Sequence, residues 1–233
     1  TDSNNQNEMG SYMAADRDNM RDNLTGLYTR KAFEDRLAES LSSAQEKDTC
    51  LSIVFLDIDN FKRVNDTHGH GIGDRVIERV ATVITESIQD PTIAARYGGE
   101  EFVLFIPELE REQAFLLGER IRAAMDITQK FSDSGLEIDI KITLSGGISA
   151  YPTDGQTMRD IIRKADQALY RAKLTGRNKI CIAEEERMAA KTSHFTLTQL
   201  ARLSHLAGEE GLGEAVLLRE ALDDLLNKYN VSE

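Results

Sequence analysis

The stretch LSIVFLDI, residues 51–58, is an apolar run in which only Ser52 and Asp57 are polar. Its length and its lack of polar alternation are typical of a strand that is buried on both faces of a sheet. A second stretch, RYGGEEF at residues 96–102, stands between two short apolar segments. Two strands joined by a glycine pair predict a tight hairpin with its turn at Gly98–Gly99.

The elements predicted around this strand alternate between amphipathic helices and apolar strands. They are a polar helical stretch at 14–22, a helix with Phe33, Leu37 and Leu41 on one face, a long helix after Gly73 with Val76, Ile77, Val80, Val83 and Ile84 inward, strands near 92–96 and 102–106, a helix over 111–125, a strand over 138–149, a helix over 158–173 and a strand over 179–182. This order predicts the α/β (α+β) class with a ferredoxin-like βαββαβ core, to which a hairpin and further helices are added.

Composition restricts the function classes. The 233 residues suffice for one catalytic domain and a small appendage, and the net charge of −12 argues against nucleic acid or an anionic membrane as the default partner. The chain has no apolar run of about 18 residues, so we expect no membrane span.

Cys50 and Cys181 have neither a CxxC nor a zinc spacing and indicate reduced thiols of a cytoplasmic protein. Residues 1–12 are polar and are predicted to be a disordered linker.

Three acidic residues are candidates for a metal site. Asp57 lies at the end of the buried strand, and Glu100 and Glu101 lie at the tip of the hairpin beside it. Clustered carboxylates are costly unless a cation neutralises them, and Mg²⁺ prefers such oxygen ligands. Asp57 alone would be interpreted as a capping residue; the two glutamates beside a glycine turn favour metal binding.

Five stretches together resemble the GGDEF family of diguanylate cyclases, in its GGEEF form. They are DNLTGLYTR at 22–30, DIDNFKRVNDTHGHGIGD at 57–74, RYGGEEF at 96–102, TLSGGIS at 143–149 and ADQALYRAKLTGRN at 165–178. The resemblance spans roughly residues 15–183, so we expect the cyclase domain to occupy 13–183. It implies a nucleotide-cyclase core and an enzyme that condenses two GTP molecules into cyclic di-GMP. Thr29 and Lys31 depart from the family pattern at positions outside the chemistry.

The resemblance also implies a catalytic centre. Asp57, the Ile58 carbonyl and Glu100 would hold Mg²⁺, with Mn²⁺ as an alternative ion. Glu100 would accept the proton of the attacking 3′-hydroxyl. Glu101 would contribute to metal binding and to positioning. Lys62, near the start of a helix, would stabilise the charge that develops at the α-phosphate.

Six further residues would bind the substrate according to the resemblance: Phe61, Asn65, His70, Asp74, Lys173 and Arg177. Asp74 and Asn65 would select guanine, because a carboxylate accepts both the N1–H and N2–H donors and would repel the N1 acceptor of adenine. Lys173 and Arg177 would clamp the outer phosphates, although a pair four residues apart is also typical of a solvated helix face. His70 could equally be a surface loop histidine.

One family feature is missing. Many relatives carry an RxxD motif before the glycine pair, which binds the product and inhibits the enzyme. Gln89 and Thr92 occupy the corresponding positions. We therefore expect no product inhibition through that site.

The tail, residues 184–233, is predicted to be a separate module. Its pattern is a short strand, a helix that begins with a Thr196–Gln199 capping box, a turn at Gly211 and a second helix, which resembles a ribbon–helix–helix module. The roughly forty residues that carry this pattern, 191–229, cannot bury this much apolar surface alone, so we expect the tail to dimerise the chain. Ten acidic and five basic residues in the tail argue against DNA binding.

Two alternatives to an active cyclase stay open at this point. One is a nucleotide-responsive regulator that binds DNA through the tail. The other is a degenerate GTP-binding module, which the intact acids and Lys62 disfavour. In each case we expect an upstream sensory domain or partner to supply the signal.

Overall fold

The computed structural model describes residues 20–133, 136–184, 193–210 and 213–229. The chain divides into two compact units, Thr1–Glu185 and Glu186–Glu233. The predicted linker at residues 1–12, most of the predicted helix at 14–22, the start of the tail and Gly211 lie outside the described residues.

The first unit contains eight strands and five helices among its described residues. In chain order they are β1 (Tyr28–Thr29), α1 (Arg30–Lys47), β2 (Leu51–Ile58), α2 (Phe61–His68), α3 (His70–Ser87), β3 (Ile93–Arg96), β4 (Glu101–Pro107), α4 (Arg111–Met125), β5 (Thr128–Asp133), β6 (Leu136–Lys141), β7 (Leu144–Tyr151), α5 (Met158–Leu174) and β8 (Ile180–Ile182).

The main sheet has six strands in the order β1-β3-β4-β2-β7-β8. The four inner strands are antiparallel to one another, and the edge strands β1 and β8 pair in parallel with β3 and β7. Read along the chain, β2-α3-β3-β4-α4-β7 is the ferredoxin-like βαββαβ unit with β2 and β4 at its centre. The predicted fold class is therefore confirmed, and the strand that carries Asp57 is a central strand.

Strand β2 is buried over its whole length because helices cover both faces of the sheet. Val54 and Leu56 pack into the cluster formed with α3 and α4, whereas Ile53 and Phe55 pack into the cluster formed with α1 and α5. Successive side chains of a strand point to opposite faces, so a strand between two helical layers is apolar at nearly every position.

The prediction of one strand over 138–149 is wrong. The segment forms two strands, β6 and β7, which belong to different sheets. Strand β6 pairs with β5 in a separate two-stranded hairpin, which the sequence analysis missed. The residues 136–141, LEIDIK, alternate between apolar and polar types, as suits a strand with one exposed face, whereas every residue of β7 is buried.

The second unit contains two helices among its described residues, α6 (Leu197–Glu210) and α7 (Glu214–Lys228). The predicted capping box is present: Thr196 N donates to Gln199 Oε1 at 2.9 Å, and Gln199 N donates to Thr196 Oγ1 at 3.2 Å. The predicted strand is absent from residues 193–196, where a single chain offers no partner strand. Within the described ranges, no helix is both long and apolar enough to cross a membrane.

Candidate active site

The end of β2 lies directly beside the glycine hairpin. Asp57 pairs with Glu101 of β4 on one side and with Ser145 of β7 on the other. Ile58 N donates to Glu100 O at 3.3 Å, which joins the hairpin backbone to the strand end. Asp57 is only 3% exposed. The structure thus brings a buried carboxylate next to the two hairpin glutamates.

The hairpin tip is closed by backbone hydrogen bonds. The amides of Tyr97 and Gly98 both donate to Glu101 O, at 2.8 and 3.3 Å. A Cβ at Gly98 would overlap with the Glu101 carboxylate, so a larger residue there would displace that side chain. The Glu101 carboxylate therefore lies against Gly98 of the turn.

Arg96 and Asp22 tie the hairpin to the turn that precedes β1. Arg96 Nη2 donates to Gly99 O at 2.8 Å, and Arg96 Nη1 lies 3.4 Å from the Asp22 carboxylate. Thr25 donates to Asp22 Oδ1 from its amide at 2.9 Å and from its hydroxyl at 2.7 Å. Burial opposes ionisation of Asp22, but the Thr25 hydrogen bonds and the Arg96 charge lower its pKa below the usual value. Sequence reasoning gave these residues no role.

Tyr97 anchors the hairpin from its other face. Its hydroxyl donates to Glu34 Oε1 at 2.9 Å, and its ring packs edge-on against Phe55 with centroids 4.9 Å apart. Burial and the neighbouring Glu34 raise the pKa of Tyr97 to about 12. The phenol therefore stays a donor at neutral pH and keeps the hairpin in place.

Lys173, in the last turn of α5, forms an ion pair with Asp57 rather than pointing away to solvent. Its Nζ lies 2.8 Å from Asp57 Oδ2. Burial nevertheless raises the pKa of Asp57 above its usual value, with the charges of Glu101 and Asp59 adding to the effect. The pKa of Glu100 is also raised, first by burial and then by the charges of Asp57 and Glu101. The two carboxylates thus lie in a partly buried part of the protein, close to further negative charge.

The arrangement fits a magnesium ion whose remaining ligands are water and substrate oxygens. No group of three or more Asp, Glu, His or Cys side chains gathers as a metal cluster in the part of the chain that the structure describes. Magnesium is commonly held by one or two carboxylates and completes its shell with water and substrate phosphates. Asp57, Glu100 and the adjoining Ile58 backbone meet that requirement.

Asp59 has a structural role that separates it from Asp57. Its carboxylate accepts from Thr143 Oγ1 at 2.8 Å, Ser145 Oγ at 2.6 Å and Asn178 N at 3.0 Å. Three donors around one buried carboxylate leave it little capacity to bind a metal. Asp59 instead fixes the end of β2 to the start of β7 and to the turn after α5.

That turn places Arg177 and Asn178 in the left-handed backbone region, with φ of 60° and 48°. The Asn178 side chain holds it by donating to Asp126 Oδ2 at 2.9 Å and accepting from Arg122 Nη1 at 2.8 Å. Sequence analysis did not find Asn178, whose partners are distant in sequence. The predicted phosphate residue Arg177 is exposed on this turn.

A second cluster of predicted residues lies on the helices α2 and α3. Phe61 is buried, and Asn65 Oδ1 is buried without a hydrogen-bond partner among the described residues. An unpaired buried acceptor costs free energy, so a ligand donor at this oxygen would stabilise the site. Lys62, His70 and Asp74 are exposed on the same two helices.

Comparison with known proteins agrees with this geometry. The family model described as "Diguanylate cyclase, GGDEF domain" matches residues 19–179. The bifunctional diguanylate cyclase/cyclic di-GMP phosphodiesterase MucR of Pseudomonas aeruginosa is 39% identical over 165 residues, which are 71% of this chain and 24% of that protein. Diguanylate cyclase A of Treponema denticola is 37% identical over 166 residues, 70% of this chain and 44% of that protein. The chain thus spans less than half the length of these curated relatives.

Solved structures show the same domain. The GGDEF domain of DgcB from Caulobacter crescentus, in complex with c-di-GMP, has a TM-score of 0.66 and 38% identity, covering 71% of this chain and 94% of that chain. The active GGEEF domain of a diguanylate cyclase from Vibrio cholerae has a TM-score of 0.61 and 34% identity, covering 68% and 98%. The chain therefore belongs to the GGDEF family of diguanylate cyclase domains.

Proposed function

We propose that this protein is a diguanylate cyclase that condenses two GTP molecules into cyclic di-GMP and two pyrophosphates. In each of two steps a ribose 3′-oxygen forms a bond to the α-phosphorus of the other nucleotide. The bond from that phosphorus to the bridging oxygen breaks, and pyrophosphate leaves. The observation that carries the proposal is the buried Asp57 beside the two hairpin glutamates, Glu100 and Glu101, at the end of a central strand.

Glu100 is the proposed acceptor of the 3′-hydroxyl proton. In the metal-free protein its pKa is raised by burial and by the neighbouring charges of Asp57 and Glu101. The assignment rests on its position at the hairpin tip, where its carbonyl accepts from Ile58 N beside Asp57. Glu101 holds its position through the closed hairpin and adds negative charge to the metal site. The contacts of Arg96 and Tyr97 hold the hairpin so that both glutamates stay next to Asp57.

Asp57, the Ile58 carbonyl and Glu100 would hold Mg²⁺ or Mn²⁺, which when bound neutralises phosphate charge and polarises the phosphorus under attack. Lys62 would add a further positive charge close to the α-phosphate. Lys173 and Arg177 would bind the outer phosphates.

Guanine selection is assigned to Asn65 and Asp74, with Phe61 and His70 beside them. The buried, unpaired Asn65 Oδ1 supports this assignment because it can accept a hydrogen bond from a guanine N–H. Adenine presents an acceptor at the corresponding ring nitrogen and would be rejected by Asp74.

We further propose that the chain works as a homodimer, because each domain binds one GTP and the product needs two. Exposed leucines of α6 and α7 support a dimerising tail, among them Leu197, Leu200, Leu206, Leu222 and Leu225. Tethering two domains raises their effective concentration. The matched relatives cover the cyclase unit and lend no support to a DNA-binding role of the tail. An upstream sensory domain or partner would supply the signal.

The test is incubation of the protein with GTP and Mg²⁺, followed by chromatography of the products. We expect cyclic di-GMP from the wild type and none from folded Asp57→Ala or Glu100→Ala variants, since each removes a proposed metal ligand. Replacing GTP by ATP should give no cyclic product. Wild-type turnover by a folded Glu100→Ala protein would overturn the assignment.

A further inference from the structure

The ion pair between Lys173 and Asp57 joins two residues that the proposed function assigns to different partners. Asp57 is assigned to the metal, and Lys173 to the outer phosphates. In the structure their charged atoms lie 2.8 Å apart, with the Asp57 side chain 4% exposed and that of Lys173 32% exposed. The carboxylate is thus nearly buried, while the ammonium retains access to solvent.

A buried carboxylate near other acids requires a positive neighbour, because leaving it unpaired is strongly destabilising. Lys173 supplies that charge in the protein without ligands. A divalent ion bound by Asp57 would lie within a few ångströms of the ammonium, and two cations at that separation repel. Metal binding therefore requires Lys173 to leave Asp57.

Lys173 is suited to such a move. It is a point charge on a flexible stem of four carbons, located in the last turn of α5. A nucleotide triphosphate bound at the same centre would offer it a new anionic partner. The cost of breaking the ion pair is then offset only when metal and nucleotide arrive together.

We propose that Lys173 neutralises Asp57 in place of the metal ion in the free protein, and that it thereby couples metal binding to nucleotide binding. It pairs with Asp57 in the free protein and transfers to the phosphates when the metal–nucleotide complex binds. The free divalent ion consequently binds weakly, and the nucleotide raises the affinity for it; by linkage, the ion raises the affinity for the nucleotide by the same factor. This inference rests on the proposed function for the identity of the nucleotide.

The test measures Mn²⁺ binding to the full chain from the electron paramagnetic resonance signal of the free ion. Lys173→Met removes the charge and keeps the length of the side chain. Without nucleotide, we expect this variant to bind Mn²⁺ at least about fivefold more tightly than the wild type. The increase in Mn²⁺ affinity caused by a non-hydrolysable GTP analogue should shrink by at least about fivefold, within the usual range of coupling between sites.

Lys164→Met is the matched control. Lys164 lies on the same helix and donates to Glu184 O at 3.2 Å, away from Asp57. This variant should match the wild type in both titrations. Lys173→Arg keeps the charge and should retain weak Mn²⁺ binding without nucleotide.

Equal or weaker Mn²⁺ affinity in Lys173→Met, with the nucleotide effect unchanged, would overturn the proposal. Lys173→Gln replaces the Met variant if the latter does not fold, with the same expected result. The nucleotide-free titration depends only on the ion pair, whereas product chromatography tests the proposed cyclase activity. A failure of one is therefore distinguishable from a failure of the other.

Discussion

Replacing Gly73 by alanine should weaken GTP binding without lowering the stability of the fold. A Cβ at Gly73 would lie 3.0 Å from Asn65 Cγ, closer still to Asn65 Oδ1, and 3.2 Å from Phe61 Cζ. Carbon atoms in contact are normally about 3.5–4.0 Å apart, and the contact with Oδ1 is the shortest of the three, so the Asn65 carboxamide must move by more than about 1 Å. That displacement is large enough to misalign a hydrogen bond to guanine.

The expected loss follows from the value of one buried hydrogen bond. A misplaced buried partner costs about 1–3 kcal/mol, which corresponds to a rise of about 5- to 150-fold in the KM for GTP. The melting temperature should rise or stay constant. Alanine favours a helix over glycine by about 1 kcal/mol, and this gain offsets the cost of the close contacts. Initial rates over a GTP series and a thermal melt of the same preparation measure both effects.

Gly71→Ala is the control for this experiment. Gly71 lies in the same helix, and a Cβ there would meet nothing within 4 Å. Its KM should equal that of the wild type. If Gly73→Ala also binds GTP normally, Asn65 does not contact the base, and the assignment of the guanine pocket to α2 and α3 is refuted.

Four further predictions concern other residues of the site and the tail. Asp74→Ser should let ATP compete with GTP, since the carboxylate that repels adenine is gone; unchanged selectivity in a competition assay would make Asp74 structural. Asp57→Asn should abolish turnover yet leave the melting temperature in EDTA at pH 7 unchanged or higher, because burial makes the ionised form of Asp57 costly and the partly exposed Lys173 can be solvated without it. For the same reason the stability of the wild type should fall as the pH rises from 3.8, the pKa of Asp57 in the unfolded chain, through its higher pKa in the folded protein. If the Asp57→Asn variant shows the same fall, Asp57 is not its cause. Truncation after Ala183 should give a monomer whose specific activity rises steeply with concentration and is restored by an artificial dimerising coiled coil; a truncated protein that stays dimeric in sedimentation would show that the tail serves another purpose.

The central fold could be predicted because its signals are local. The apolar run of β2 and the glycine pair at Gly98–Gly99 each determine a strand or a turn within a few residues. The alternation of strands and helices then leaves few ways to arrange the sheet. The hairpin of β5 and β6 was missed because its pairing depends on tertiary contacts, and short alternating segments carry a weak signal.

The site could be predicted only as a set of residues. The sequence motifs named Asp57 and Glu100, but they could not show that Lys173 reaches Asp57 across 116 positions of chain. Nor could they show that Asp22 supports the hairpin through Arg96. Such contacts are set by how helices and turns pack on the sheet, and residue spacing contains no information on them.

The central claim is that the acids at the end of β2 catalyse two successive condensations of GTP. The most direct measurement is to quantify cyclic di-GMP and pyrophosphate in the same Mg²⁺-dependent reaction. We expect about two pyrophosphates per cyclic di-GMP from the wild type, and neither product from folded Glu100→Gln. Release of inorganic phosphate in place of pyrophosphate, or an unchanged yield from Glu100→Gln, would contradict it.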